Sequence, residues 1–182
     1  MSEPGICVRR ATSDDAEGLA ALAAVVFPLG GRPGADPRDL AHHIATKLTA
    51  ECFRKLIADP NAMLFVAEIA DRICGCALEL RPSPHPQIGV VAAAELQKFY
   101  VAPAQHGRGV ADELMRQVLA SLERDRLDAV WLSVNCENPR AIAFYKRWGF
   151  RIVGTHELLV GADRQKDFLM RRDSPLAPAE RA

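Results

Sequence analysis

The chain contains 182 residues, of which 49% are hydrophobic and 25% are charged, and this composition is typical of one globular domain with a substantial core. Its 23 basic and 23 acidic side chains cancel, so no overall positive field favours nucleic acid or a membrane surface as a partner. A net charge near zero lowers the repulsion between copies of the chain, which favours a homodimer.

The N-terminal half predicts a strand, two helices and a hairpin. Hydrophobic spacing, capping side chains and turn residues locate these elements. They are a strand at residues 6–10, a helix capped within residues 12–15 and ending at Phe27, a loop at 28–35, a helix from Asp36 or Asp39 to Ala58, and strands at 62–69 and 73–80.

The C-terminal half predicts alternating strands and helices. The expected elements are a proline-stiffened loop at 81–90, a strand at 95–101, a helix at 112–126, a strand at 129–134, a helix at 139–148 closed by Gly149, and strands at 150–160 and 167–171 around a turn at 161–163. The order predicts an α/β fold, with a mixed sheet flanked by four helices. We expect residues 1–172 to form one domain and residues 173–182 to be a disordered tail.

The cysteines and the N-terminus indicate a cytoplasmic protein. The five cysteines lack the paired spacing of metal ligands, and Cys74 and Cys76 alternate on one face of a predicted strand, as reduced core thiols do. Residues 1–10 lack the apolar run of a signal peptide, and no apolar segment approaches the roughly 18 residues that span a bilayer. We therefore expect neither a metal nor a membrane partner.

A glycine-interrupted turn between a predicted strand and a predicted helix is the most informative segment. It reads His106-Gly107-Arg108-Gly109-Val110-Ala111. Glycines let backbone N–H groups converge there, and the positive end of the helix dipole favours a bound anion such as a phosphate. Taken alone, the spacing also fits a plain helix-entry turn.

A second motif narrows the interpretation of that turn. The segment from Asn138 to Phe150 contains Asn138-x-x-Ala141-x-x-Phe144-Tyr145 followed by Gly149-Phe150, and it places a tyrosine near the end of a helix. A phosphate-binding turn with a helical tyrosine at this distance indicates acyl transfer from coenzyme A. The alternative for Tyr145 is a core aromatic beside Phe144.

Both motifs resemble the GCN5-related N-acetyltransferase (GNAT) superfamily, and the order of elements matches it over roughly residues 6 to 171. The resemblance implies a predominantly antiparallel, seven-stranded sheet and transfer of acetyl from acetyl-CoA to an amine. It departs from the family pattern at His106, where glutamine or arginine is usual. No covalent intermediate is implied, so the cysteines are not required.

The resemblance also implies the contacts of acetyl-CoA. Backbone atoms of Phe99, Tyr100 and Val101 would pair with the pantetheine arm across a gap between this strand and the next. Asn138 would hydrogen-bond the pantetheine, and the Tyr145 phenol would protonate the leaving thiolate. The residues expected around the phosphates are His106, Gly107, Arg108, Gly109, Val110, Ala111 and Asp112.

The acceptor amine requires a base, because an amine with the pKa of lysine, about 10.4, is almost entirely protonated at neutral pH. Glu95 is the favoured candidate, since it is expected to share a strand face with Gln97 and Phe99. The alternative for Glu95 is a solvated strand residue. Weaker candidates for the base are Glu137, Asp163 and His156.

The sequence leaves the acceptor open. The segment from Gly154 to Met170 resembles that of bacterial polyamine N-acetyltransferases, which favours a small amine or a polyamine. Two alternatives remain: a protein N-terminal acetyltransferase of the ribosomal-protein type, and a non-catalytic domain that binds or senses acyl-CoA.

Overall fold

A seven-stranded mixed sheet forms the centre of the fold. The computed structural model describes residues 5–30, 36–160 and 163–175. The strands are β1 (Cys7–Arg10), β2 (Ala62–Ile69), β3 (Arg72–Leu80), β4 (Ala93–Val101), β5 (Ala129–Asn135), β6 (Arg151–Val160) and β7 (Asp163–Asp173), arranged in the order β1-β2-β3-β4-β5-β7-β6. Only the central pair, β4 and β5, is parallel. The predicted fold class is confirmed.

The described residues form five α-helices that cover the sheet, where the sequence predicted four. They are α1 (Ala16–Gly30), α2 (Pro37–Lys47), α3 (Ala50–Ala58), α4 (Val110–Arg124) and α5 (Pro139–Arg147). The predicted second helix is two helices, because Leu48 leaves helical geometry and the Thr49 hydroxyl accepts a hydrogen bond from the Cys52 N–H, capping α3.

The segments between these elements correct two smaller predictions. Residues 28–30, predicted as loop, continue α1, and residues 31–35 lie outside the described part of the chain. Strand β7 begins at Asp163 instead of residue 167, and the predicted turn falls largely on residues 161–162, which are not described. The prediction of a disordered tail at 173–182 is wrong at its start, because Asp173 belongs to β7 and Ser174 is buried; residues 176–182 are not described.

Two hydrophobic clusters lie on opposite faces of the sheet. One packs α4 against the sheet through the predicted stripe of Val110, Leu114, Val118 and Leu122, and we call this side the α4 face. The other packs α1 and α3 against β2 and β3 through residues such as Leu19 and Phe53, and we call it the α1 face. No helix in the described ranges has the length and apolar character needed to cross a membrane.

A bulge in β3 corrects the prediction for two cysteines. The pairing of β2 with β3 shifts between Ala67 and Glu68, so β3 contains one extra residue there. As a result, Cys74 packs on the α4 face and Cys76 on the α1 face, although alternation predicted one face for both.

Candidate active site

The parallel strands at the centre of the sheet separate after three residue pairs. Strand β4 pairs with β5 only where Ala93, Ala94 and Glu95 face Ala129, Val130 and Trp131. Beyond Glu95 and Trp131 the two strands run to Val101 and Asn135 without pairing to each other. The backbone of β4 that faces this opening therefore has hydrogen-bonding groups for an extended ligand.

A bulge in β4 changes which of its side chains lie on each face of the sheet. Leu78 pairs with Lys98 and the adjacent Glu79 pairs with Leu96, so Gln97 is an extra residue in β4. The prediction that Glu95 shares a face with Gln97 and Phe99 is therefore wrong.

The faces of β4 follow from its pairing with β3. Leu96, Phe99 and Val101 pack on the α4 face. Glu95 and Lys98 lie with Tyr100 on the α1 face, where the Ser83 hydroxyl donates to a Glu95 carboxylate oxygen at 3.2 Å. Burial lowers the pKa of Lys98, and the nearby Glu95 carboxylate partly offsets that shift.

The glycine turn at the end of β4 has the backbone of an anion-binding loop. Gly107 has φ of +76° and Gly109 has φ of +86°, conformations that favour glycine. A Cβ at Gly107 would meet no protein atom within 4 Å, so the space beside its backbone is open. Because α4 begins at Val110, the N–H groups of Val110, Ala111 and Asp112 lie in its first turn and have no partner within the helix.

His106 connects this turn to two other elements. Its ring nitrogen Nε2 lies 3.0 Å from the carbonyl oxygen of Val101, and its Nδ1 lies 2.7 Å from Nη1 of Arg140 in α5. A carbonyl accepts and a guanidinium donates, so the ring carries its proton on Nε2. The histidine that departs from the family pattern thus ties β4, the glycine turn and α5 together.

Tyr145 is buried in an aromatic cluster beside the opening. Its ring centroid lies 6.2 Å from that of Phe99 in β4, 5.4 Å from Phe144 and 5.6 Å from Phe150. Burial raises the pKa of the phenol well above its usual range, so the O–H remains protonated at neutral pH. The tyrosine is therefore both a core aromatic and a protonated donor beside β4.

Two polar residues predicted to contact the cofactor have partners within the fold. The side-chain oxygen of Asn138 caps α5 by accepting from the Ala141 N–H at 3.0 Å. Asp112 Oδ1 accepts from Arg147 Nη2 and Trp148 Nε1, both at 3.0 Å, and so joins α4 to α5. The Asp112 carboxylate thus binds α5, and the backbone N–H of Asp112 is the group that remains to bind a phosphate.

A cluster of polar and aromatic side chains lies on the α1 face of the opening. It comprises His85, Trp131, Ser133, His156 and Asp167, and we call it the histidine cluster. Trp131 Nε1 donates to the Ser83 carbonyl at 2.7 Å, and this hydrogen bond attaches the loop between β3 and β4 to β5. Among the described residues, no group of three or more His, Cys, Asp or Glu is arranged to hold a metal ion.

The sequence identified only part of this cluster. His156 was a weaker candidate for the base, whereas Ser133 and His85 were not assigned to the site. Their proximity depends on the register of β5, β6 and β7, which pairs Asn135 and His156 with Asp167. The alternation of Trp131, Ser133 and Asn135 on one face of β5 was the available signal. Glu137, another weaker candidate, is exposed, and the side chain of Asp163 lies outside the described part.

Comparison with known proteins gives consistent matches. A family model described as the acetyltransferase (GNAT) family matches residues 35–150. An uncharacterized N-acetyltransferase of Mycobacterium tuberculosis is 36% identical over 159 residues, which cover 87% of this chain and 97% of that protein. The N-alpha-acetyltransferase RimI of the same organism is 34% identical over 80 residues, or 44% of this chain and 49% of that protein.

A solved structure shares the fold. The PaiA N-acetyltransferase from Thermoplasma acidophilum, solved in complex with coenzyme A, superposes with a TM-score of 0.78 at 17% identity. The match covers 93% of this chain and 99% of that one.

Proposed function

The chain belongs to the GNAT acetyltransferase family, and from this premise we propose that it transfers acetyl from acetyl-CoA to a primary amine by direct attack of the amine on the thioester. Acetyl transfer from acetyl-CoA follows from the family, while the acceptor and the residue roles are the proposal. The observation that carries it is that the glycine turn and Tyr145 flank the same opening between β4 and β5.

The residues around the opening fit coenzyme A. We assign the pyrophosphate to the N–H groups of Gly107, Gly109 and the first turn of α4, where the open space at Gly107 admits a phosphate. The backbone of residues 97–101 pairs with β3 but not with β5, and its side facing β5 suits the amide groups of the pantetheine arm. Asn138 keeps its side-chain amide nitrogen for the same arm, and Arg108 adds positive charge near the phosphates.

Tyr145 is assigned as the proton donor to the leaving thiolate, since its phenol is protonated and lies beside β4. Bound acetyl-CoA supplies the activated thioester. Tyr145→Phe keeps the aromatic packing, so we expect turnover to fall about 100-fold while coenzyme A affinity and stability stay unchanged. Steady-state kinetics and calorimetry check this. Unchanged turnover would contradict the assigned role.

Glu95 is assigned to the acceptor side. Its carboxylate lies at the last pair of β4 with β5 and faces the same side of the sheet as the histidine cluster. There its negative charge attracts a protonated amine. Ser83 orients the carboxylate through the hydrogen bond described above.

The charges around the opening favour an acceptor with one amine over a polyamine. Lys98 lies on the same face as Glu95, and the two side chains are close enough to interact electrostatically, so positive charge is already present beside this carboxylate. A polyamine with several cationic nitrogens would meet repulsion there. A small primary amine remains the favoured acceptor, with polyamines as the second choice.

Protein N-terminal acetylation is the second candidate function. The match to RimI of Mycobacterium tuberculosis, at 34% identity over 80 residues, favours it. A thiol-release assay with acetyl-CoA over small amines, polyamines, aminoglycosides, amino acids and short peptides separates the candidates. Fastest release with a small amine supports the first proposal, while fastest release with a peptide replaces it. If no amine or peptide accelerates thiol release, both candidate functions are overturned and a non-catalytic domain that binds or senses acyl-CoA is favoured.

A further inference from the structure

Three residues of the histidine cluster form a continuous chain of hydrogen bonds. Ser133 Oγ donates to Asp167 Oδ2 at 2.7 Å, and the same Oγ lies 3.1 Å from His156 Nε2. Asp167 is buried, whereas Ser133 and His156 are half-buried. The three residues come from β5, β6 and β7, so the sheet itself holds their geometry.

These hydrogen bonds determine which ring nitrogen of His156 carries the proton. An ionised carboxylate only accepts hydrogen bonds, so the single hydroxyl proton of Ser133 points to Asp167. The remaining contact therefore requires that His156 Nε2 donates to Ser133 Oγ. In the neutral ring, Nδ1 is then the nitrogen with a lone pair, and it can accept a proton.

The same order of bonds excludes Ser133 as a nucleophile. In nucleophilic catalysis the histidine accepts the serine proton and the carboxylate orients the histidine. Here the serine lies between the histidine and the carboxylate, and its proton is directed to Asp167. An acetyl-serine intermediate is therefore not supported, and the three residues are arranged to orient an imidazole.

The histidine cluster lies beside the opening, with Trp131 and Ser133 on the bordering strand β5 and His156 on β6, beyond β7. Ser133 is two residues beyond Trp131, the last residue of β5 that pairs with β4, so the cluster borders the opening on its α1 face. Tyr145 lies in the core on the α4 face. Groups that can donate and accept protons thus flank the opening from opposite faces of the sheet.

We propose that His156 is the general base that takes a proton from the acceptor amine, with Ser133 and Asp167 as positioning residues. This proposal rests on the amine acetylation proposed above and names the residue that deprotonates the acceptor. The proton moves from the ammonium nitrogen of the acceptor to His156 Nδ1.

The protons balance over one turnover. An ammonium group carries three protons and the amide product keeps one, so two protons leave the nitrogen. His156 takes the first and returns it to solvent. The bond between the amine nitrogen and the acetyl carbon forms, the carbon–sulfur bond breaks, and Tyr145 gives a proton to the sulfur. The second nitrogen proton replaces the proton lost by Tyr145 through solvent.

The surroundings favour His156 over Glu95 for this step. Imidazole is the side chain whose ordinary pKa lies closest to neutral pH, and it suits general-base catalysis better than a carboxylate. Glu95 faces the Lys98 ammonium and accepts from Ser83, so its charge is already partly compensated. The groups around His156 are Asp167 from β7, Ser133 from β5, and the His85 ring 6.4 Å away in the loop between β3 and β4.

The test compares His156→Ala with the wild type, using the amine that gives the fastest thiol release in the screen. We expect kcat to fall about 100-fold and the KM for acetyl-CoA to change less than about twofold. Added imidazole should restore part of the lost kcat, as it replaces the missing base. Asp167→Asn and Ser133→Ala should each lower kcat by about tenfold, since they misorient the ring.

His42→Ala is the matched control, because His42 is exposed on α2 and its backbone carbonyl, which the substitution keeps, accepts the hydrogen bond from the Thr46 hydroxyl. It should leave kcat unchanged. If His156→Ala does not fold, as judged by circular dichroism and coenzyme A binding, His156→Gln takes its place with the same expected loss of kcat.

Two outcomes would overturn the proposal: a kcat within about threefold of the wild type in the folded variant, or a loss that imidazole does not restore. Either result leaves the amine acetylation itself intact, because the wild type still acetylates the amine. Absence of thiol release by the wild type with every amine overturns the proposed function instead.

Discussion

Glycine residues with the same backbone conformation have different roles in this fold. Gly107 and Gly149 have φ of +76° and +83°, and a Cβ at either would meet no protein atom within 4 Å. Alanine therefore costs about 1 kcal/mol of backbone strain at both positions. Only Gly107 lies in the loop assigned to the pyrophosphate, since Gly149 follows the end of α5.

Gly107→Ala should raise the Kd for coenzyme A at least tenfold, because its methyl group fills the space that a phosphate needs. Gly149→Ala should lower stability by the same amount and leave the Kd unchanged. Isothermal titration calorimetry and thermal unfolding of both variants check this. An equal rise of the Kd in both variants would show that backbone strain, and not loss of the phosphate contact, weakens binding. An unchanged Kd for Gly107→Ala would contradict the assigned contact.

Asp15 links the start of α1 to the edge of the sheet. Its carboxylate accepts from both terminal nitrogens of Arg9 at 2.8 Å and from the Thr12 N–H at 2.7 Å. The hydrogen bonds from Arg9 lower the pKa of Asp15 to about 2. A carboxyl whose pKa is lower in the folded state stabilises the fold above its unfolded pKa, and this contribution is lost as the pH falls toward the folded value.

Asp15→Asn should therefore lower the free energy of unfolding by about 2 kcal/mol at pH 7. The difference from the wild type should shrink as the pH falls below about 4, and it should vanish near pH 2. Urea unfolding at several pH values measures it. Asp14→Asn, at an exposed neighbouring position, is the control and should have no effect. A difference that is constant with pH would contradict the assigned ion pair.

At the scale of elements, α4 packs directly against a glycine of the sheet. A Cβ at Gly75 in β3 would lie 2.9 Å from Leu114 Cδ1 and 3.0 Å from the Tyr100 carbonyl oxygen. The absence of a side chain therefore lets α4 lie on β3, and this contact positions the first turn of α4 beside the end of β4.

Gly75→Ala should push α4 away from the sheet, destabilise the fold by about 1–3 kcal/mol and lower the Tm by about 5 °C. Coenzyme A binding should weaken with it, since the N–H groups of the first turn move. Differential scanning calorimetry and titration measure both effects. Gly5→Ala, where a Cβ would meet nothing within 4 Å, is the control. An unchanged Tm would show that α4 accommodates the methyl group without moving.

The helices and strands were largely predictable because hydrophobic periodicity determines them. The break between α2 and α3 at Leu48 could not be predicted in this way, because the apolar spacing of four residues continues across it. Only the capping potential of Thr49 indicates that a new helix begins there. The bulge at Gln97 was missed because alternation counts residues without knowing their partners. Two adjacent polar residues, Gln97 and Lys98, were the local sign of it.

The candidate site was predictable where it is local in sequence. The glycine turn and Tyr145 lie in short motifs, so the two motifs together, with their resemblance to the GNAT superfamily, predicted them. The histidine cluster joins residues from a loop and three strands, and their proximity follows from strand register over long sequence separations. The link from His106 to Arg140 likewise depends on how α5 packs beside the glycine turn.

At the scale of the whole molecule, the sheet consists of two halves joined by a short ladder. Strands β1 to β4 form one half and β5, β7 and β6 the other, and within the sheet three residue pairs of β4 and β5 join them. A ligand seated in the opening contacts both halves, so its binding should stabilise the junction.

Coenzyme A at about 100 times its Kd should raise the free energy of unfolding by about 2.7 kcal/mol, which corresponds to a Tm higher by about 5–10 °C. Hydrogen exchange of the backbone N–H groups in residues 97–101 should slow more than that of β6, at the far edge of the sheet. Mass spectrometry of exchanged peptides measures this. Protection spread evenly over the sheet would contradict binding in the opening.

The extra residue at Gln97 separates two sets of side chains on one strand. Leu96, Phe99 and Val101 belong to the core around α4 and Tyr145, whereas Glu95 and Lys98 face the histidine cluster and α2. Substitutions at Glu95 and Lys98 therefore alter the surface assigned to the acceptor and leave the packing around Tyr145 untouched. Libraries randomised at these two positions offer a route to new acceptor preferences with the donor site kept intact.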